Sequence, residues 1–169
     1  MANELLIKLH ETTEGFLEAI SLFTQEQFNI IPFEGSWTAA QVTEHIFKAE
    51  VGIPQIWQGN AKPTERAVDQ NVPMISKIFL DFENKMKSPE FIVPSPAGVI
   101  QDREERYQAM EKNRTEIEKL AAGIDLSLTY TDFALPNMGA LTGQEWVVFL
   151  TVHSFRHMHQ LRNIHKALG

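Results

Sequence analysis

The chain has 169 residues, 43% hydrophobic and 22% charged, which is typical of one globular domain over residues 1–169. Its 15 basic and 22 acidic residues give a net charge of −7, so it lacks the positive surface expected of a protein that binds DNA or RNA. The complete absence of cysteine excludes disulfides, cysteine-based zinc sites and a thiol nucleophile of the chain's own.

The first predicted element is an amphipathic helix over residues 5–28, in which apolar residues recur every three or four positions. Pro32 and Gly35 end it. The beginning of this segment carries Glu4 and Lys8, whereas a signal peptide needs an unbroken apolar stretch. Because no window of about 18 apolar residues occurs elsewhere, we expect a cytoplasmic protein with no membrane partner.

A second helix is predicted to begin at Thr38, because Thr38 and Gln41 have the spacing of a capping box. Its inward apolar face includes one polar residue, His45. Gly52 and Pro54 are expected to kink this helix near its end.

Two loops alternate with two further helices in the middle of the chain. Residues 58–72 are polar and predict a loop, and residues 74–86 predict a shorter third helix. Residues 89–98 contain three prolines, which resist both helix and central strand, so we expect a structured loop there. A fourth helix is predicted over residues 102–122, ended by Gly123.

The last predicted helix follows a connection over residues 132–141 and reaches to about residue 168. Thr142 and Glu145 form a second potential capping box at its start. Five helical segments and no convincing strand predict an all-α helical bundle.

Histidines on the inward faces of two helices suggest a metal site. His153 and His157 lie four apart on the last helix, so both can reach one ion, with a third ligand such as His45 from another element. The alternative is a set of core histidines bonded to carbonyls. Six histidines produce one such pair by chance about one time in five, so spacing alone favours neither interpretation. Ser154 follows His153, so the zinc-protease motif with its glutamate base is absent.

The residues around this pair have different expected roles. Gln160 shares the face of His153 and His157, so it could hydrogen-bond to a ligand imidazole or to a metal-bound water. The alternative is a polar residue at the open end of the bundle. His159 is expected to point away from that face. Imidazole ligands alone suit zinc, nickel, iron or copper. The loops at residues 58–72 and 89–98 are expected to border the site.

Three segments resemble the DinB/YfiT-like superfamily: residues 36–45 (SWTAAQVTEH), 135–146 (LPNMGALTGQEW) and 153–160 (HSFRHMHQ). The resemblance extends over nearly the whole chain. It implies a four-helix bundle with an additional shorter helix and long connecting loops. One departure is His159, where members often have a small residue, which puts local access in question. The resemblance also implies a divalent metal ion held by His45, His153 and His157.

The activities within this superfamily differ. Some members transfer a low-molecular-weight thiol to electrophiles, others are mycothiol-dependent maleylpyruvate isomerases, and many are described as metal-dependent hydrolases. The resemblance therefore implies an enzyme for a small-molecule substrate, with zinc or nickel ahead of iron or manganese. We expect thiol-dependent S-transfer, and the lack of cysteine fits this reaction, since the sulfur would then arrive with a cosubstrate. The alternatives are hydrolysis by activated water and a non-catalytic, metal-stabilised ligand-binding bundle. Because dimers are common among members, a homodimer is also expected.

Overall fold

The structure, a computed structural model, describes residues 2–84 and 86–169. Its helices are α1 (Ala2–Ser21), α2 (Gln25–Phe28), α3 (Ala39–Glu50), α4 (Ile53–Gln58), α5 (Val72–Leu80), α6 (Arg103–Ala121) and α7 (Gly143–Leu168). Its strands are β1 (Ala61–Lys62), β2 (Thr129–Leu135) and β3 (Gly139–Thr142). Within these described residues, no helix combines the length and the apolar character that crossing a membrane requires.

The long helices α1, α3, α6 and α7 form the body of the fold. Helices α1 and α3 each pack against both α6 and α7, and α5 packs along α7. Two groups of buried apolar side chains fill the interior, one around the first half of α7 and one around its second half. His153 and His157 lie between these two groups along α7.

Local capping explains where the helices that carry the histidines begin. Thr38 and Gln41 form both hydrogen bonds of a capping box at the start of α3. Thr142 and Glu145 do the same at the start of α7. Helix α6 begins after Asp102, whose carboxylate accepts a hydrogen bond from a backbone amide in the first turn. The predicted starts of all three helices are confirmed.

Three predicted helix boundaries are wrong. The predicted helix over residues 5–28 is two helices, because Thr24 forms a capping box of its own and starts α2. The second helix is interrupted rather than kinked, with α4 beginning after Gly52. The third helix ends at Leu80 instead of residue 86. Immediately after Leu80, the carbonyl of Asp81 accepts a hydrogen bond from Arg156 of α7. Residue 85 lies outside the described residues.

A small antiparallel sheet corrects the all-α prediction. β2 and β3 form a hairpin with Leu135 opposite Gly139, and β1 pairs with the start of β2. Asn137 and Gly139 have φ of 66° and 73° in the turn, a conformation that asparagine and glycine tolerate best. Residues 132–141, predicted as a connection, are mostly this hairpin. Over its described residues the protein is therefore mostly helical, with three short strands.

A fully buried ion pair joins α3 to α6. The guanidinium of Arg114, 1% exposed, donates to both carboxylate oxygens of Glu50, 0% exposed, at 2.7 and 2.6 Å. It also donates to the hydroxyl of Ser154, so the same side chain contacts α7 next to His153. Three helices thus meet at one charged pair in the interior.

Candidate metal centre

His45, His153 and His157 lie together between α3 and α7. One ligand atom from each lies within 4.8 Å of the others. The three side chains are buried, at 3%, 4% and 6% exposed. The structure thus brings together the three histidines that the sequence suggested, although 108 positions separate His45 from His153 (153 minus 45).

The orientation of His45 is set by a backbone carbonyl from the loop after α5. Its Nδ1 lies 3.0 Å from the carbonyl oxygen of Ile92. A carbonyl can only accept, so Nδ1 carries the proton and Nε2 keeps its lone pair. The indole ring of Trp37 packs against the imidazole, with ring centroids 5.1 Å apart.

His157 is oriented in the same way by a side chain of its own helix. Its Nδ1 lies 2.8 Å from Oε1 of Gln160, one turn further along α7. The proton on Nδ1 is donated to this oxygen, which leaves the lone pair of Nε2 free. Gln160 therefore makes the imidazole contact that its position on the helix face suggested.

His153 is held by aromatic packing and by one contact with His157. Its ring lies between Phe149, with centroids 5.1 Å apart, and Phe79 of α5, with centroids 5.2 Å apart. Its Nδ1 is buried and has no hydrogen-bond partner. Its Nε2 lies 3.2 Å from Nε2 of His157.

This arrangement of donors fits a divalent ion. In the absence of an ion, neutral His153 can carry its proton on Nε2 and donate it to the lone pair of His157 Nε2; with that proton on Nδ1 instead, both Nε2 atoms can ligate one cation. Zinc–nitrogen bonds of about 2.0–2.1 Å in a tetrahedral site place ligand nitrogens about 3.3–3.4 Å apart. The separation between His153 and His157 is close to that value, and His45 supplies the third imidazole.

Burial keeps the three imidazoles in the neutral form that binds metals. It lowers the pKa of His157 to about 3, with the nearby His45 contributing. Burial also lowers the pKa of His153 well below its usual value, and His157 and His45 lower it further. Burial lowers the pKa of His45 too, although the Ile92 carbonyl opposes the shift.

These shifts make the metal-free protein sensitive to acid. Below about pH 6.5 the histidines of the unfolded chain take up protons, while the buried ones in the folded protein do not. Stability is therefore full above that pH and falls as the pH drops, by up to about 1.4 kcal/mol per pH unit for each histidine. Urea unfolding of chelator-treated protein between about pH 7.5 and 5 measures this.

The matched control for that measurement is the His45→Ala variant, which has one buried imidazole fewer. Its unfolding free energy should fall less steeply over the same pH range, because one proton fewer is taken up on unfolding. A wild-type unfolding free energy that stays constant across this range would contradict the neutral, buried state of the cluster.

The two loops expected at the site have different positions. The loop at residues 89–98 supplies the Ile92 carbonyl and so borders the site. The loop at residues 58–72 contacts the start of α7 instead, where Arg66 pairs with Glu145 at 2.6 Å. That contact is eight residues before His153, or about 12 Å along the helix. Phe79 of α5, rather than the loop at residues 58–72, covers His153.

His159 lies outside the cluster, as predicted from its position on the helix. It is exposed and stacks on Phe82, with ring centroids 4.6 Å apart. Its Nε2 lies 3.0 Å from Nδ2 of Asn163. The side chain of His159 thus makes surface contacts and takes no part in the cluster of three histidines.

Comparison with known families and proteins adds one finding. The family model described as DinB superfamily matches residues 8–161. No curated protein and no solved structure matches the chain.

Proposed function

The chain belongs to the DinB superfamily, and on that basis we propose that it is an enzyme whose divalent metal ion is held by His45, His153 and His157. The observation that carries this proposal is the convergence of three buried, neutral imidazoles, two of them with Nε2 atoms 3.2 Å apart. Zinc and nickel are the expected ions, ahead of iron and manganese. The packing of α1 and α3 against α6 and α7 supports the four-helix bundle of this superfamily.

The residues of the chain prepare the site for an ion. The Ile92 carbonyl and Gln160 fix the tautomers of His45 and His157, so that lone pairs face inward. The rings of Trp37, Phe79 and Phe149 pack around the cluster and limit the access of bulk water.

We propose S-transfer to a small electrophile as the reaction. When bound, a divalent ion with three histidine ligands has open positions and lowers the pKa of a thiol or water that reaches them. The cosubstrate thiol gives its proton to water, its sulfur bonds to the electrophilic carbon, and the leaving group departs with the electron pair of its former bond. The lack of cysteine supports an external thiol, of low molecular weight. We also propose that the protein is a homodimer in the cytoplasm.

Metal content and turnover test this function. Protein purified without a nickel column should contain about one equivalent of divalent metal per chain. Monochlorobimane with a panel of low-molecular-weight thiols should then be consumed by the wild type and not by His157→Ala. Turnover of an ester or amide panel alone would favour hydrolysis, and no turnover with bound metal would favour a ligand-binding bundle. Folded protein that takes up neither zinc nor nickel would contradict the metal site itself.

Gln160→Leu should weaken metal binding while the protein stays folded. Without Oε1 of Gln160, the His157 ring loses the acceptor that fixes its tautomer, which costs about 10- to 100-fold in metal affinity. A zinc titration against a chromophoric chelator measures the change. The matched control is Asn163→Leu, which removes the equivalent hydrogen bond to His159. Equal affinities for both variants would show that Gln160 does not support the site.

A further inference from the structure

One buried carboxylate holds the loop over residues 92–101 against α3. Glu44 is 4% exposed. Its Oε1 accepts hydrogen bonds from the hydroxyl of Ser95 and from Nζ of Lys48, both at 2.9 Å. Its Oε2 accepts from the backbone amide of Ser95 at 3.0 Å and from Nε2 of Gln101 at 2.7 Å. Four donors thus meet two oxygens, an arrangement that a carboxylate satisfies and a neutral amide does not.

The same loop carries the carbonyl that orients His45. Ile92, which accepts from Nδ1 of His45, lies three residues before Ser95. Lys48 also donates to the carbonyl of Val93 at 2.9 Å. The contacts of Glu44 therefore lie on the loop immediately after the group that fixes the His45 tautomer.

Glu44 cannot itself join the three histidines. It precedes His45 on α3, so the two side chains leave the helix about 100° apart. Its two oxygens are already occupied by the donors of the loop and of Lys48. Glu44 is therefore not a ligand, and its hydrogen bonds connect it to the site through the loop.

We propose that Glu44 is a positioning residue of the metal centre. By binding Ser95 and Gln101 it holds the Ile92 carbonyl against Nδ1 of His45, and Nε2 of His45 then stays directed at the other two histidines. The link to a metal ion rests on the proposed function, whereas the orientation of His45 is a property of the chain alone.

A second buried carboxylate provides a matched control. Glu145 is 0% exposed and also accepts four hydrogen bonds, two from Arg66 and one each from the amides of Asn71 and Thr142. It fixes a loop to the start of α7 and makes no hydrogen bond to the three histidines. Glu145→Gln therefore removes the same charge from an equally buried site that lacks the link to His45.

The experiment compares Glu44→Gln with Glu145→Gln. In metal-free protein, NMR of the imidazole protons should show a protected Nδ1 proton for His45 in the wild type and in Glu145→Gln. Glu44→Gln should lose this protected proton through exchange with water. Its zinc affinity should fall about tenfold or more. Glu145→Gln should retain zinc affinity within about twofold, as expected for an independent site. Ser95→Ala, which leaves Glu44 in place and removes one donor, should change both measurements in the same direction by less.

The outcomes separate this inference from the proposed function. If the wild type binds no metal but Glu44→Gln still loses the protected His45 proton, the proposal of a metal enzyme is wrong. The role of Glu44 in orienting His45 then stands. If Glu44→Gln keeps both the proton and the zinc affinity of the wild type, the positioning role is wrong. Equal losses in Glu145→Gln would also overturn it, because they would reflect general loss of structure. If Glu44→Gln does not fold, Ser95→Ala decides by the same two measurements.

Discussion

His157→Ala is expected to lose most of the affinity for a divalent ion, and His45→Ala and His153→Ala should behave like it. Each variant leaves two imidazoles where three converge. Structural zinc held by four ligands contributes about 10–16 kcal/mol, so an equal share for one ligand is about 3–4 kcal/mol. Losing one ligand should therefore lower the affinity for the ion by more than about a hundredfold.

His159→Ala is the internal control, because His159 belongs to the same helix but lies on Phe82 and away from the cluster. Its zinc affinity should match that of the wild type. Competition titration with a chromophoric chelator, together with unfolding of each metal-free variant, separates lost ligation from lost folding. Equal losses in His157→Ala and His159→Ala, or full retention in His45→Ala, would show that the ligand set is wrong.

The largest expected effect on stability comes from Arg114→Met. This change leaves the carboxylate of Glu50 in the interior without its guanidinium partner, and breaking such a pair costs about 3–5 kcal/mol. Burial already raises the pKa of Glu50, and Arg114 is what opposes that shift. The unpaired carboxyl should therefore take up a proton or draw water into the contact between α3 and α6.

The double variant Arg114→Met, Glu50→Leu tests the reason for that loss. Replacing both members of a buried ion pair by apolar residues of similar size is often neutral, so the double variant should recover much of the stability. Urea unfolding at pH 7 gives the free energies of the wild type and both variants. If Arg114→Met lowers the free energy of unfolding by less than about 1 kcal/mol, as for an exposed ion pair, the buried pair of Arg114 and Glu50 would be contradicted.

The parts of the fold that the sequence predicted well depend on neighbouring residues. Thr38 with Gln41 and Thr142 with Glu145 are three apart, so the capping boxes could be recognised directly. The same signal is present at Thr24, but the apolar spacing continues through it and hides the break between α1 and α2. Helix faces also placed His153 beside His157, since their separation is one helical turn.

The parts that were missed depend on distant segments. Pro136 and Gly139 are typical of loops and of hairpin turns alike, and β1 pairs with β2 across more than 60 residues. The carbonyl of Ile92 carries no side-chain signal at all, because every residue has such a group. In the sequence, Phe79 is one of several apolar residues of the third helix and nothing links it to His153. Only the packing of α5 on α7 places the two rings against each other.

The separation between His45 and His153 also sets when the three imidazoles can meet during synthesis. At about 5–20 residues per second, the separation of 108 positions delays His153 by about 5–20 s after His45. During that interval the growing chain contains only one of the three imidazoles of the cluster, His45. An ion bound at the proposed site would therefore meet imidazoles already held in place by the fold. Selection among competing ions would then depend on their supply and on the spacing of these nitrogens, and not on an order of capture by the growing chain.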